Sequence, residues 1–485
     1  MKMLVGIWKD KKLMKMIGIT ILVLILFRIG SSITIPGINL AKVNSSGADS
    51  NQFINMLNLL GGGGLKRFSI FSLGVSPFIT ASIIVQLLSS DIVKPLARWT
   101  KTGEKGKKKI DILTRILTLP FAILQSFAIL NLLSNLNVIS LGSFTIANWI
   151  YYIGISVAGC YASLFLADVI GKYGIGNGTS LIIFAGIVAN LFSNFFVAYG
   201  ALTTGKAGTN AVFLSLINFF AYIVLFFILI IAVVFINDSK RKIPIQQTGS
   251  GLATKAEEMT FIPIKVNPAG VIPVIFASSI LTIPITIAQF LPSTNVAKSV
   301  IETYFTFNSW VGISIYFVLT LLFTFFYAFI QVNPNRLAEN FKKNGSFIPG
   351  IRPGDDTEKY IGKVLTRVTV VGALFLAVIA SIPYIINVLV KIPSGSAIGG
   401  TGIVILIQVS LDWYNNIRTR LTKGDYSRIR KEIEKENNAN DAPVDVLAEF
   451  EKNKKPSKLS RIFNRKGPTS KEDAAKKKED SISLW

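Results

Sequence analysis

Long uncharged apolar runs punctuate this chain. A bilayer's hydrocarbon core is about 30 Å thick and takes roughly 20 mostly apolar residues to cross as a helix, so each such run reads as a membrane span. Nine stand out, at Met16–Ile35, Ile112–Leu133, Trp149–Ile170, Thr179–Tyr199, Ala211–Ile236, Val271–Phe290, Trp310–Val332, Val364–Val390 and Gly399–Trp413. A tenth, Val75–Ser90, is shorter, rich in Ser and Thr, and carries Pro77 near its start; Gly74 and Asp91 flank a helix just long enough to span. Ten spans put both chain ends on one side. The pattern predicts an all-α polytopic membrane protein.

Charge then sets the orientation, because cytoplasmic loops keep an excess of Lys and Arg. Of 51 Lys+Arg, 44 go with one set of loops and the two ends, 6 with the opposite set, and Arg28 lies inside the first span. Both termini are therefore expected in the cytoplasm. The opening MKMLVGIWKDKKLMK reads as a retained cytoplasmic segment (1–15) and not a cleavable signal, since a span-length run follows it without a small-residue cleavage site.

Two segments repeat. Gly74–Val85 (GVSPFITASIIV) and Gly270–Leu281 (GVIPVIFASSIL) share seven of twelve positions, and the same offset of 196 carries the first span onto the sixth. Two halves of five spans each, an odd number, must have inverted topology. Pro-interrupted segments in matching positions then point to the transport path, between spans two and seven. Small and β-branched residues also recur in membrane helices for close packing, which is the plainer account of the repeat.

Composition narrows the chemistry. The 485 residues are 51% hydrophobic and 16% charged, with no histidine and one cysteine, Cys160. Without histidine there is no Ser/His or Cys/His pair and no HExxH zinc site. A lone cysteine makes no internal disulfide and no thiolate cluster. GGGGLKR at Gly61–Arg67 lacks the Gly-Lys-Ser/Thr of a phosphate-binding loop, and GIGNG at Gly174–Gly178 has no preceding strand, so neither is a nucleotide site.

Several ordered blocks carry a family resemblance: FRIGSSITIPGI (Phe27–Ile38), SIFSLGVSPFITASIIVQLL (Ser69–Leu88), GEKGKKKID (Gly103–Asp111), YGIGNGTSLIIFAGIVA (Tyr173–Ala189), VNPAGVIPVIFASSI (Val266–Ile280), NPNRLAENFKKNGSFIPGIRPG (Asn333–Gly354) and VGALFLAVIASIP (Val371–Pro383). From about Lys15 to Leu421 the chain resembles the SecY family of protein-translocation channels. The resemblance implies a central pore between an N-terminal half (16–199) and a C-terminal half (211–413), opening along its axis for secreted chains and sideways for membrane segments. It implies no cofactor, no metal and no enzymatic activity. Implied partners are the small membrane subunits SecE and SecG, the SecA motor ATPase, the ribosome with its RNA, signal peptides and nascent chains, and membrane lipids, all at the bacterial plasma membrane.

By resemblance a dry pore ring falls on Ile79, Ile83, Thr179, Ile183, Ile275 and Ile405; Thr179 departs from the aliphatic pattern. A plug segment at about 54–72 would hinge at Gly61, Gly62, Gly63 and Gly64. Ser82, Gln86, Ser278, Ser279 and Thr282 would form a lateral gate of weak polar pairs, or act as packing spacers. Arg352, in the rigid FIPGIRPG turn of the 333–363 loop, would dock partners together with Lys342, Lys343 and Arg241. The 237–266 loop continues QTGSGLATKAEEM where the family tends to carry more basic residues, so its part in docking stays open. The tail, 414–485, has the composition of a basic, largely disordered extension; DYSRIRKEIEKEN within it suits a helix, and KLSRIFNRK suits RNA or anionic lipid. The alternative is a secondary transporter for a small solute, which shares inverted repeats and broken helices.

Overall fold

The structure, a computed structural model, describes residues 8, 10–37, 57–58, 61–89, 93–135, 146–203, 209–247, 260–292, 295–307, 309–390 and 400–440. The chain divides into two compact units, Met1–Leu421 and Thr422–Trp485. Of the second, only 422–440 are described, all helical.

Each expected apolar stretch lies for most of its length in a helix. In chain order these are α1 (Lys11–Gly30), α2 (Ser76–Leu87), α4 (Glu104–Asn135), α5 (Ile146–Tyr173), α6 (Gly178–Thr203), α7 (Thr209–Asp238), α8 (Ile272–Ala288), α10 (Trp310–Gln331), α12 (Asp355–Val390) and α13 (Gly400–Asn440). Three amphipathic helices lie between them: α3 (Lys94–Lys101), α9 (Val296–Tyr304) and α11 (Pro334–Lys343). Among the described residues, six helices are long and apolar enough to cross a membrane, and three more apolar stretches, in α2, α6 and α8, are shorter.

Local chemistry sets the ends. Asp10 caps α1 by accepting from the amides of Lys12 and Leu13, so the helix starts five residues before the apolar run and stops at Gly30, where the Ser31 and Ser32 hydroxyls take the Arg28 carbonyl. Pro77 and Pro273 occupy the first turns of α2 and α8, where a missing N–H costs nothing. Asp355, Asp356 and Glu358 fill the first turn of α12, where the helix dipole favours negative charge. α12 thus begins inside the expected 333–363 loop. α13 runs past the expected span end at Trp413 to Asn440; the rest of the tail lies outside the described residues.

Polar side chains within the spans mostly bond their own helix. Thr20, Thr80, Thr118, Ser163, Thr286, Thr320 and Thr324 each donate to the carbonyl four residues back. Asp168 of α5 is paired instead with Arg115 of α4 at 2.7 Å. One hydrophobic core runs from Val23 to Val409 and takes residues from both halves.

A small β-sheet, which the apolar pattern does not predict, joins the 237–266 and 333–363 loops. β1 (Lys240–Gln247) pairs antiparallel with β2 (Thr260–Lys265) and, at Gln246 and Gln247, with β3 (Ser346–Phe347). Pro244 is tolerated because β3 reaches only the end of β1, leaving one side of the strand open at the proline. Ile243, Ile264, Phe341, Ile348, Ile361 and Leu365 form a second core beneath the sheet, joining both loops to α11 and the start of α12.

Candidate functional site

Where the halves meet, α8 packs on α2 and α4. Ile79 and Ile83 of α2, Ile183 of α6, Ile275 of α8 and Ile405 of α13 all lie in the shared core, each at most 7% exposed. Thr179 does not join them. It sits in the first turn of α6, where its amide donates to the Asn177 side chain at 3.1 Å, and it is only half-buried. One turn beyond Ile183, at the same helical face, stands Ile187, buried in the shared core.

The glycine run lies against this core. Gly62 and Gly63 have φ of 85° and 87°, a left-handed conformation that side chains oppose. The run is pressed onto α6: a Cβ on Gly186 would lie 2.1 Å from the Gly62 carbonyl carbon, and one on Gly62 would lie 2.9 Å from the Phe27 ring. Leu65 and Phe68, which follow, are buried, and the segment is hooked to the end of α1 by Ile35 N–H to Phe68 O and Ile70 N–H to Ile33 O, both 3.0 Å. Residues 54–56 and 59–60 of the expected plug lie outside the described residues.

The expected gate residues make bonds within their own helices. Gln86 donates to the Ser82 hydroxyl at 2.9 Å, Ser278 to the Ile275 carbonyl and Thr282 to the Ser278 carbonyl, both at 2.8 Å; Ser279 Oγ is buried without a partner among the described residues. The junction between halves uses residues the sequence reading passed over. Asn131 Nδ2 of α4 donates to the Gln289 carbonyl at the end of α8, and Phe127 stacks on Phe290 at 5.0 Å. Within the N-terminal half, Gln125 reaches Thr80 at 3.4 Å. The signal was available: an Asn and a Gln inside an apolar run invite interhelical bonding.

The sheet end of the molecule is basic and exposed. Arg352 is exposed on a turn fixed by Gly350 (φ 80°), Gly354 (φ 114°) and the Ile351 N–H to Ile348 O bond, while its own carbonyl accepts the Thr357 hydroxyl at 2.8 Å. Lys342 and Lys343 end α11, and Arg241 lies exposed on β1. The β1–β3 pairing brings all four onto one body. Among the described residues no cluster of three or more acidic, Cys or His side chains could hold a metal.

Comparison with known proteins agrees with this geometry. Residues 69–414 match the SecY family model. The chain is 46% identical over 418 residues to the protein translocase subunit SecY of Mycoplasmoides gallisepticum, covering 86% of this chain and 84% of that protein. It is 38% identical to the SecY subunit of Staphylococcus aureus, covering 87% and 98%. Among solved structures it superposes on "the structure of a protein conducting channel" with a TM-score of 0.60 at 20% identity, over 84% of this chain and 92% of that one. Sec61 in a canine ribosome–channel complex from the endoplasmic reticulum gives 0.57 at 19% identity. With a family model spanning well over half the chain and relatives of this identity along most of their length, the chain belongs to the SecY family.

Proposed function

We propose that this chain is the pore-forming subunit of a protein translocase, a passive conduit and not an enzyme, which passes unfolded secretory chains across the membrane and releases membrane segments sideways into lipid. The observation that carries the reading is the meeting of isoleucines from both halves in one dry core, with a left-handed glycine run seated against it. A narrow aliphatic constriction expels water when empty and so leaks few ions, yet parts for a polypeptide. The ring is Ile79, Ile83, Ile183, Ile187, Ile275 and Ile405, with Ile187 in the place first given to Thr179. Gly61–Gly64 seat the plug, and the α2/α4–α8 junction is the gate. The small-solute carrier finds no support among the similarities.

The chain crosses the plasma membrane ten times with both ends in the cytoplasm, SecE and SecG beside it. Arg352, Lys342, Lys343 and Arg241 face SecA and the ribosome, since a guanidinium on a rigid turn suits both carboxylate and phosphate. The direct test is photocrosslinking of a stalled secretory chain to probes at Ile79, Ile183, Ile275 and Ile405; probes that crosslink only lipid would overturn the pore. Orientation is checked with Cys160 replaced and single cysteines at Ser140, Thr204, Ser250 and Ser346. An impermeant thiol reagent outside should label the first two and spare the last two.

A further inference from the structure

Helix α9 lies between the end of α8 and the start of α10, at the end of both helices remote from the sheet, and its chemistry has no part in the pore. Asn295 caps it by accepting from the Ala297 amide at 2.9 Å. At helical spacing Val296, Ala297, Val300, Ile301 and Tyr304, with Phe305 next, fall on one half of its circumference; Lys298, Ser299, Glu302 and Thr303 fall on the other.

The protein covers only one flank of the apolar half. Ile301 and Phe305 are partly buried, Phe305 against the shared core. Val296, Val300 and Tyr304, spaced i, i+4, i+8, are 76%, 45% and 48% exposed. On the elements that flank α9 in the chain, Ile287 and Phe290 at the end of α8 and Trp310 and Val311 at the start of α10 are exposed as well. α10 is long and apolar enough to cross a membrane, so its first turn marks the boundary between hydrocarbon and headgroups, where Trp and Tyr concentrate.

We infer that α9 is an interfacial helix whose exposed apolar flank sits in the lipid at the bilayer surface, with its polar half turned to water. The inference requires a membrane protein but not a protein-conducting one, so it survives or fails separately from the channel reading. It also gives the gate a lipid contact. Glu302 Oε1 accepts from Gln289 Nε2 at 3.4 Å, and the Gln289 carbonyl is the one that Asn131 of the other half holds. The junction between halves is therefore built on a residue bonded to the lipid-seated helix.

The test uses the full chain carrying Cys160→Ala, reconstituted in vesicles of phosphatidylethanolamine and phosphatidylglycerol. Single Val296→Cys, Val300→Cys, Ser299→Cys and Thr303→Cys variants take a nitroxide label, whose collisions with oxygen, concentrated in lipid, and with a nickel chelate, confined to water, are compared. Oxygen should prevail at 296 and 300 and nickel at 299 and 303. Nickel prevailing at all four would place α9 in water, and low collision with both reagents at 296 and 300 would mean that protein covers the flank; either result overturns the inference. A photoreactive residue at Val300 is the second readout, with phospholipid adducts expected and water or protein adducts contrary.

Discussion

The pore core and the basic sheet solve opposite problems. In the core, isoleucines from α2, α6, α8 and α13 pack together and Gln86, Ser278 and Thr282 bond within their own helices, so that apolar packing, with the Asn131–Gln289 hydrogen bond and the Phe127–Phe290 stack, joins the halves. On the sheet, a compact second core backs strands and turns that display Lys240, Arg241, Lys242 and Arg352. On the function proposed above, one region works by excluding water and the other by standing in it. A polar substitution should therefore be severe in the first and mild in the second, whereas a charge inversion should matter only in the second.

The sharpest way to break this contrast is Ile405→Asn, at a fully buried position. Losing the aliphatic side chain and burying an amide costs the closed state about 3–4 kcal/mol, or roughly two to three decades in its equilibrium with open forms. Single-channel recording should show a standing ion leak, and substrates with defective signals should be exported; wild-type conductance would remove Ile405 from the ring. Next comes Gly186→Ala. Its Cβ would collide with the Gly62 backbone, and overpacking of this kind costs about 1–3 kcal/mol, so the leak should be about one to two decades. Gly154→Ala, whose Cβ meets nothing, is the control and should conduct as wild type.

On the sheet, Arg352→Glu should leave conductance and membrane insertion level while motor or ribosome binding falls about tenfold, from loss of a charge-assisted bond worth about 1.5–3 kcal/mol and added repulsion. Equal binding by both forms, measured in vesicles of matched protein content, would make Arg352 one more orienting charge. Lys359→Glu, exposed on α12 away from the turn prolines, should change binding by less than about threefold, in line with other solvent-screened charges.

The two regions also differ in how far the sequence discloses them. Spans are legible because a bilayer demands a length of uncharged residues, and α4, α5, α10 and α12 meet that demand openly. Position along the axis is not: α6 is apolar almost all round and Thr179, Ile183 and Ile187 share one face, so the pattern alone does not say which of them reach the core, where Ile183 and Ile187 are buried while Thr179 stays half-buried beside Asn177. The glycines at 61–64 read as flexibility, yet Gly62 and Gly63 serve close approach to α6, and composition cannot separate the two uses. The sheet is hard to read from the sequence although Ile-Pro-Ile occurs in both β1 and β2 with alternate burial, because the strands are short, charged at one end, and the third comes from a loop a hundred residues on.

The length of α12 gives these separations a mechanical meaning. Its 36 residues begin at the Arg352 turn and, at 1.5 Å per residue, extend about 54 Å, well beyond the roughly 30 Å of hydrocarbon. Leu376 and Ile379, which pack in the shared core, stand about 33 Å along this rod from its docking end, ahead of the proline at 383. A partner that tilts the helix by about 5° about a fixed far end therefore moves the docking end by about 5 Å and the core contacts by about 1.6 Å. The helix is a lever with a gearing set by its own rise, so work done on the charged face arrives in the dry core as displacement.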